Sequence, residues 1–442
     1  MKNARLSVIG AGLAGSEAAW QAAQRGVNVD LFEMRPAIMT PAHSSGLMGE
    51  LVCSNSLRGV SLANAVGLLK EELRVQGSLI MAAAEENRVP AGGALAVDRE
   101  GFATFITERI SSHPRIQVHR HQVSKVPEGP VVVATGPLTS EGLSQEIARL
   151  CGNDHFFFYD AAAPIVATDS INMAAVYRAS RYDKGGDAAY LNCPMTEAQY
   201  QDFWQALISA ETVTRRDFEE ERFFEGCLPV EELARRGRDT LRFGPLKPVG
   251  LEDPRTGQMY HAVVQLRQDN LEGTLYNLVG FQTNLTWPEQ RRVFRMIPGL
   301  EKAEFVRLGV MHRNTFIDSP RHLRETQQFR GRDDLFFAGQ LTGVEGYVES
   351  SASGLMAGVN ASRYVRNIPL LTWPRDTAHG SLIHYITTRP GEGFQPMNVT
   401  FGLLPPLDVR VRGRRDRRLA VSHRALDSLK EWLDAVSSQE EH

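Results

Sequence analysis

The feature that most constrains this chain is the succession of strand, glycine and helix signals near its N-terminus. A short apolar segment of strand type at 6–9 leads directly into a Gly-x-Gly-x-x-Gly sequence at 10–15, and a helical pattern follows at 16–25. A second strand pattern at 27–32 ends on the acidic residue Glu33. This order fits one βαβ unit and predicts a dinucleotide-binding fold.

The residues of the glycine turn have separate tasks in such a fold. Gly10 makes the tight turn, Gly12 lets the backbone approach a pyrophosphate, and Gly15 allows close packing of helix on strand. The N–H groups at the helix start favour phosphates, and Glu33 is placed to accept hydrogen bonds from ribose hydroxyls. The predicted cofactor-binding residues here are Gly10, Ala11, Gly12, Leu13, Ala14, Gly15 and Glu33. The turn alone does not distinguish FAD from NAD.

Two later segments favour FAD. An apolar strand pattern at 131–133 runs into a turn of small residues, and another at 335–337 leads into a glycine-rich turn and a small-residue helix at 350–361. In two-dinucleotide-fold flavoproteins, such segments bring backbone to the flavin, and the helix start faces the ring. Tight packing would also explain the small-residue helix, and both interpretations can hold together. The residues expected at the flavin are Ala134, Thr135, Gly136, Gly339, Gly343 and Tyr347.

Cofactor segments near both ends of the chain imply that the middle is an insertion. We therefore predict an α/β protein with a Rossmann-like FAD-binding domain of the two-dinucleotide-fold type and an inserted α+β domain. The FAD-binding domain is expected to comprise residues 1–151 and 300–442, including a basic C-terminal helical tail, and the insertion residues 152–299. Within the insertion, strand and helix patterns lie at 262–266, 274–281, 197–210 and 288–296.

The charge of the chain bears on its partners. Its 442 residues carry 49 Lys and Arg against 52 Asp and Glu, a formal net charge of −3. A nearly neutral protein binds nucleic acid only through a local patch. Basic clusters at 235–247 and 410–424 could supply one, although a solvated basic face is the alternative. The arginines predicted to bind nucleic acid are Arg235, Arg236, Arg414, Arg415, Arg417 and Arg418.

The four cysteines show no Cys-x-x-Cys pair and no metal-type spacing. We therefore expect no disulfide framework, no metal site and a reducing cytoplasm. No apolar run approaches the ~18 residues of a membrane span, which predicts a soluble protein without membrane contact. Cys151 and Cys193 are interpreted as small buried hydrophobes, whereas their polar loops make Cys53 and Cys227 candidate reactive thiols.

Six motifs carry a family resemblance: GAGLAGSEAA at 10–19, VCSNSL at 52–57, VPAGGALAVDR at 89–99, CLPVE at 227–231, GVMHRN at 309–314 and GVEGY at 343–347. Together they resemble the folate- and FAD-dependent tRNA (uracil-5-)-methyltransferases, the TrmFO family, over nearly the whole chain. One departure is SSGLMG at 44–49, where that family has a more polar loop with an aromatic residue.

The resemblance implies methylation at C5 of the T-loop uridine of tRNA, with methylenetetrahydrofolate as carbon donor and NADPH or NADH reducing the FAD. The insertion would face the tRNA, and no obligate protein partner is expected. A thiolate that adds to C6 makes C5 nucleophilic. By resemblance, Cys227 makes this addition, and Cys53 assists proton removal or holds a resting adduct. His312 would stack on the folate pterin, with Arg313 beside it; an ordinary histidine is the alternative.

Other functions fit parts of the sequence. An NAD(P)H-dependent flavin oxidoreductase with a small-molecule acceptor explains the cofactor motifs but leaves Cys227 and the arginine clusters without a role. A relative that modifies the wobble uridine needs a long further helical domain, for which the residues after 347 leave little room. A flavin-containing RNA chaperone would tolerate replacement of both candidate thiols.

Overall fold

The computed structural model describes residues 5–152, 155–161, 163–183, 188–213, 228–270, 272–309, 311–388, 394 and 396–440. For residues 155–161, 311–315, 439 and 440 it describes the backbone alone. Across these ranges, no helix combines the length and the apolar character that a membrane span requires.

The described strands are β1 (Leu6–Ile9), β2 (Val29–Phe32), β3 (Ser56–Gly59), β4 (Arg88–Val89), β5 (Ala94–Val97), β6 (Ile116–His119), β7 (Val131–Val133), β8 (His155–Ala161), β9 (Ile165–Ala167), β10 (Tyr177–Ala179), β11 (Tyr190–Met195), β12 (Ala262–Gln268), β13 (Leu275–Leu278), β14 (Phe305–Arg307), β15 (Met311–Ile317) and β16 (Leu335–Phe337). The described α-helices are α1 (Leu13–Gln24), α2 (Ala65–Val75), α3 (Leu79–Glu86), α4 (Arg99–Ser111), α5 (Glu141–Leu150), α6 (Glu197–Ile208), α7 (Val230–Arg235), α8 (Thr240–Phe243), α9 (Trp287–Phe294), α10 (Ser319–His322), α11 (Tyr347–Val365), α12 (Ala378–Thr388) and α13 (Arg414–Glu440).

A five-stranded parallel sheet in the order β16-β7-β1-β2-β6 organises the cofactor domain. Every residue of β7 and of β16 is buried, as expected for parallel strands that are covered on both faces. Strand β1 lies between β7 and β2, so the turn that follows β1 opens near the middle of the sheet. The predicted α/β, Rossmann-like fold is confirmed.

Helix α1 begins three residues before its predicted start. Gly12 is the N-cap, so Gly15 lies in the first turn of the helix. The helix ends at Gln24, and Gly26 then adopts a left-handed φ of 82°, which glycine reaches without strain. The glycine motif therefore spans the turn and the helix start together.

The small-residue helix α11 packs directly on α1. An added Cβ at Gly354 would lie 2.2 Å from the carbonyl oxygen of Ala14, and one at Gly358 would lie 2.4 Å from that of Ala18. The backbones of the two helices thus approach more closely than any larger side chain permits. This contact brings the start of α11, from the C-terminal part of the chain, to the N-terminal dinucleotide turn.

The middle of the chain forms a second core around a six-stranded antiparallel sheet, in the order β10-β11-β12-β13-β9-β14. The predicted strands at 262–266 and 274–281 correspond to β12 and β13, and the predicted helices to α6 and α9. Strand β14 joins this sheet although it follows the predicted limit at 299. Strands β8 and β15 pair with each other in an antiparallel two-stranded sheet, through which the chain enters and leaves the middle region. The domain limits stay a prediction.

The basic tail is a helix that lies against α2. Val421, Ala425 and Leu429, four residues apart, form the buried stripe of α13. Near its start, the hydroxyl of Ser422 donates to the carbonyl oxygen of Leu62 at 2.7 Å. The arginine-rich beginning of α13 is thereby fixed beside the loop between β3 and α2.

Candidate functional site

A cleft opens at the carboxyl ends of β1, β2, β7 and β16, where open parallel sheets bind dinucleotides. Its volume, including the open mouth, is about 1010 Å³. The predicted cofactor residues that line it are Gly10, Gly12, Leu13, Ala14, Glu33, Ala134, Thr135, Gly136, Gly339 and Tyr347. Segments from both ends of the chain therefore meet in one cleft, and their contact with FAD stays a prediction.

The glycine turn is built by close backbone approach. An added Cβ at Gly15 would lie 1.7 Å from the carbonyl oxygen of Gly10, and one at Gly10, whose φ is 95°, would lie 2.7 Å from that of Ala134. Gly12 differs, because its added Cβ would meet no atom within 4 Å. The turn thus leaves space on its cleft side, which is what a bound pyrophosphate requires.

Glu33, at the end of β2, is a buried and ionised acceptor. Its Oε2 accepts from the N–H of Ala11 at 2.9 Å, and its Oε1 accepts from the N–H and Nε of Arg35, each at 3.0 Å. Burial alone would raise the pKa of Glu33, but the Arg35 charge and these hydrogen bonds hold that pKa below its ordinary value. An ionised carboxylate at this edge of the cleft suits ribose hydroxyls, which donate hydrogen bonds.

Tyr347 connects the cleft with the loop that carries Cys53. Gly343 and Gly346, with φ of 80° and 107°, form the left-handed turns that lead into α11, and Tyr347 is its first residue. The Tyr347 hydroxyl oxygen accepts from the backbone N–H of Cys53 at 2.7 Å and from that of Ser54 at 3.1 Å. Burial raises the pKa of Tyr347, so this phenol stays neutral.

Of the two candidate thiols, the structure describes Cys53, which is half-buried next to the cleft-lining residue Val52. Cys227 lies outside the described residues, so a meeting of the two thiols stays a prediction. The chain just after Cys227 is firmly anchored: the buried carboxylate of Glu231 accepts from the N–H of Asn284 at 2.6 Å. Cys151 and Cys193 are buried, as predicted.

The two predicted folate residues lie on one strand. His312 and Arg313 belong to β15, whose backbone pairs with that of β8. In this register His312 is the pairing partner of Asp160 and Arg313 that of Tyr159. The backbone alone is described here. Their contact with folate therefore stays a prediction.

The predicted RNA-binding arginines lie on two separate surfaces. Arg235 and Arg236 are exposed at the end of α7, and Arg235 pairs with Glu232. In α13, Arg414, Arg415 and Arg417 are exposed and Arg418 is half-buried. The Arg418 guanidinium lies over the ring of Phe401 at 5.6 Å and reaches the carbonyl oxygen of Ala63 at 3.5 Å.

Sequence reasoning missed three cations around the Cys53 segment: the buried Lys70 and Arg267 and the half-buried Arg99. Arg99 and Arg267 hydrogen-bond the residues around Cys53, and Lys70 holds the turn that follows. A signal was present for Arg267, because it interrupts the apolar strand 262–268, in which charge needs a partner. Which partner it finds depends on the tertiary structure.

Lys70 is fully buried in α2 and holds the turn after the Cys53 segment. Its ammonium donates to the carbonyl oxygens of Leu57 and Gly59 at 2.7 and 2.8 Å. Between them, Arg58 adopts a left-handed φ of 63° and binds the carboxylate of Glu349 near the start of α11. Burial and the neighbouring Arg58 charge lower the pKa of Lys70 to about 7.

The lowered pKa of Lys70 predicts a pH-dependent stability. Between pH 7 and the ordinary lysine value, the unfolded chain binds a proton that folded Lys70 lacks, so the free energy of unfolding rises with pH. The contribution is at most about 1.4 kcal/mol per pH unit. In urea unfolding between pH 7 and 10, wild type should therefore gain stability relative to Lys70→Met. Parallel pH profiles for the two proteins would contradict the prediction.

Comparison with known proteins first defines the class. The chain matches the family described as Glucose inhibited division protein A (GIDA) over residues 5–369. Its fold is similar to the structure of Aquifex aeolicus GidA in the form II crystal, with a TM-score of 0.67 and 17% identity over 99% of this chain and 76% of that chain. The form I crystal gives a TM-score of 0.68 over 96% of this chain. Fold and cleft thus define a GidA-type dinucleotide-binding protein.

Relatives with high sequence identity then identify one family within this class of protein. Proteins named Methylenetetrahydrofolate–tRNA-(uracil-5-)-methyltransferase TrmFO are 61% identical over 98% of both chains in Desulforamulus reducens, and 60% identical over 96% of this chain and 98% of the other in Bacillus pumilus. The homologue of that name in Pelotomaculum thermopropionicum is 59% identical over 99% of this chain and all of its own. The chain belongs to the TrmFO family, which confirms the resemblance found in the sequence.

Proposed function

We propose that this protein makes 5-methyluridine in the T-loop of tRNA, with methylenetetrahydrofolate as carbon donor and FAD as cofactor. Its TrmFO relatives match nearly its whole length. The observation that carries the proposal is the hydrogen bonding of Tyr347, a residue of the dinucleotide cleft, to the backbone of Cys53 and Ser54. Through it, a loop with a thiol forms part of the wall of a cofactor cleft.

The cleft has the features that FAD needs. Gly12 leaves space that a pyrophosphate would take, the start of α1 offers its N–H groups and the positive end of its dipole, and ionised Glu33 would accept hydrogen bonds from the ribose. Reduced by NADPH or NADH, bound FAD supplies the hydride that completes the methyl group. The chain itself binds and orients the reactants.

The chemistry of uracil explains why two thiols are needed. C5 is a weak nucleophile until the sulfur of Cys227 bonds to C6 and the electron pair of the C5–C6 double bond moves toward C5 and O4. C5 bonds to the methylene carbon as one of the two bonds from that carbon to folate nitrogen breaks. The C5 proton then passes to the ionised sulfur of Cys53, and the second carbon–nitrogen bond breaks with its electron pair staying on the folate nitrogen. The hydride that FAD would supply adds to this carbon, and the electron pair returned to C5 expels the Cys227 sulfur from C6 as a thiolate, which restores the pyrimidine double bond.

The start of α13 supports a role in RNA binding. Arg414, Arg415, Arg417 and Arg418 occupy its first two turns, with Asp416 as the acid among them. Cations in the first turn of a helix, here Arg414 and Arg415, are unfavourable by about 0.3–1 kcal/mol each, because the helix dipole is positive there. Helix stability therefore does not explain this cluster, whereas binding to tRNA phosphates does.

This surface gives a prediction about salt. We expect the double variant Arg414→Ala/Arg415→Ala to bind tRNA more weakly and to lower the slope of log affinity against log salt by about one to two, since ~0.9 counterion is released per phosphate contact. Flavin content should not change, because both residues lie outside the cleft. Filter binding at several salt concentrations measures the slope, and an unchanged slope would remove α13 from the interface.

A reconstitution assay tests the proposed function. Purified protein, FAD, methylenetetrahydrofolate and NADPH or NADH are incubated with an unmodified tRNA transcript, and 5-methyluridine is quantified after digestion. We expect product only when folate, reductant and tRNA are all present. Consumption of NADPH without methylated RNA would instead support a flavin oxidoreductase.

A further inference from the structure

The loop that carries Cys53 (residues 51–55, the Cys53 loop) is held by three arginines from three different elements. Arg99 begins α4, Arg267 lies in β12, and Arg307 ends β14. Arg267 and Arg307 therefore belong to the six-stranded sheet of the middle region (the inserted sheet) and not to the dinucleotide fold. Arg267 is 6% exposed, so its charge is almost completely removed from water.

Three consecutive carbonyl groups of the Cys53 loop accept hydrogen bonds from guanidinium groups. Arg99 donates to the carbonyl oxygen of Leu51 and, at 3.4 Å, to that of Cys53. Arg307 donates to the carbonyl oxygen of Val52 at 2.8 Å. The arginines thus hold carbonyl groups of the loop, while the Tyr347 hydroxyl holds the N–H groups of Cys53 and Ser54.

Arg267 holds the other end of the loop. Its Nε donates to Oδ1 of Asn55 at 2.9 Å, and its Nη2 donates to Oγ of Ser54 at 2.6 Å. The buried amide of Asn55 also donates to the carbonyl oxygen of Gln268, the next residue of β12, at 2.9 Å. The Cys53 loop is therefore docked on β12 through both side chain and backbone.

The charged groups around the Cys53 loop are predominantly positive. The titratable and charged groups that surround the loop are Arg99, Arg267, Arg307, Asp269, Glu50, Tyr190 and Tyr347. Asp269 is bound by Arg99 at 2.8 Å, and the Glu50 carboxylate is held by Arg35. Burial lowers the pKa of Arg267, and the attraction to neighbouring anionic groups, Cys53 among them, opposes this effect.

We propose that Arg267 and Arg307 are positioning residues for Cys53, through which the inserted sheet fixes the thiol at the cofactor cleft and surrounds it with positive charge. Neighbouring cations favour a thiolate over a thiol, and a thiolate is the form that accepts a proton. A change in the position of β12 or β14 would move the Cys53 loop directly. The position of the thiol therefore depends on how the inserted sheet packs against the dinucleotide fold.

The test measures the reactivity of Cys53 itself. Iodoacetamide alkylation of the Cys53 peptide is followed by mass spectrometry as a function of pH in wild type, Arg267→Met, Arg267→Lys and Arg307→Met. We expect both Met variants to raise the midpoint of the alkylation profile by on the order of one pH unit, or about tenfold slower reaction at neutral pH. Arg267→Lys should keep a lower midpoint than Arg267→Met, because it retains the charge.

Arg291→Met is the matched control. Arg291 is an exposed arginine of α9 in the same groove as Arg307, and its variant should leave the midpoint unchanged. Flavin content and thermal unfolding are measured for every variant, and Arg307, which is half-buried, provides a test if Arg267→Met does not fold. Unchanged profiles in folded Met variants would overturn the proposal.

A test that measures the methylation rate rests on the proposed function, whereas the alkylation test does not. In Arg267→Lys, we expect a lower kcat with an unchanged KM for tRNA. The lysine retains the charge but cannot make both of the hydrogen bonds that Arg267 donates to Ser54 and Asn55. A wild-type protein without methylation activity would reject the proposed function and leave the alkylation test valid. Normal methylation and normal alkylation in every arginine variant would reject the positioning role alone.

Discussion

Gly15→Ala is expected to yield a protein that retains little or no FAD. The new methyl group would lie 1.7 Å from the carbonyl oxygen of Gly10, so helix α1 and the dinucleotide turn must separate. Overpacking of this kind costs about 1–3 kcal/mol, and here it would also displace the N–H groups that we expect to face the phosphates of FAD. The ratio of flavin to protein absorbance after gel filtration and the thermal unfolding temperature measure the two effects, and both should fall.

Gly12→Ala is the control that separates cofactor binding from folding. Its added Cβ meets no protein atom within 4 Å, so the fold should lose at most about 1 kcal/mol, from a poorer N-cap. Gly12 nevertheless lines the cleft, so the methyl group would take up space that we assign to the pyrophosphate. We expect reduced flavin content in a protein with near-normal thermal stability. If Gly15→Ala bound FAD like wild type, the assignment of this turn to the cofactor would be wrong.

The dinucleotide fold could be predicted from sequence because its signals are local. The glycine motif, the strand patterns around it and Glu33 all lie within one βαβ unit, in which neighbours in sequence are neighbours in space. Local sequence patterns also explain why the predicted strands β12 and β13 and helices α6 and α9 of the insertion are present in the structure. Boundaries were less accurate: α1 starts at Leu13 because the N-cap is Gly12, a position that a helical pattern does not specify.

The surroundings of Cys53 could not be predicted, because they come from distant parts of the chain. Tyr347, Arg267 and Arg307 lie more than two hundred residues from Cys53 in sequence, yet their side chains hydrogen-bond the backbone or side chains of its loop. Sequence motifs indicated that Tyr347 belongs to the cofactor region but not that its hydroxyl binds this loop. Long-range side-chain hydrogen bonds leave no periodic pattern, so only the folded structure reveals them.

Replacement of the two candidate thiols should abolish methylation in different ways. Without Cys227, C6 has no nucleophile, and we expect the rate to fall on the order of 10³-fold or more. Without Cys53, the proton on C5 loses its acceptor, and a loss of about 10²–10⁴-fold is expected. Cys193→Ala is the control, because Cys193 is buried in the inserted core. Single-turnover formation of 5-methyluridine measures all three variants, with flavin content checked for each.

The two roles are separated with tRNA that contains 5-fluorouracil. Addition of a thiolate to C6 still occurs, but no proton is present on C5 to be removed, so the sulfur–C6 bond persists. Cys53→Ala should therefore form a denaturation-resistant complex with this RNA, whereas Cys227→Ala should not. A complex that survives in Cys227→Ala and disappears in Cys53→Ala would exchange the two assignments, and the positive charge around the Cys53 loop would then serve the attacking nucleophile instead of the proton acceptor.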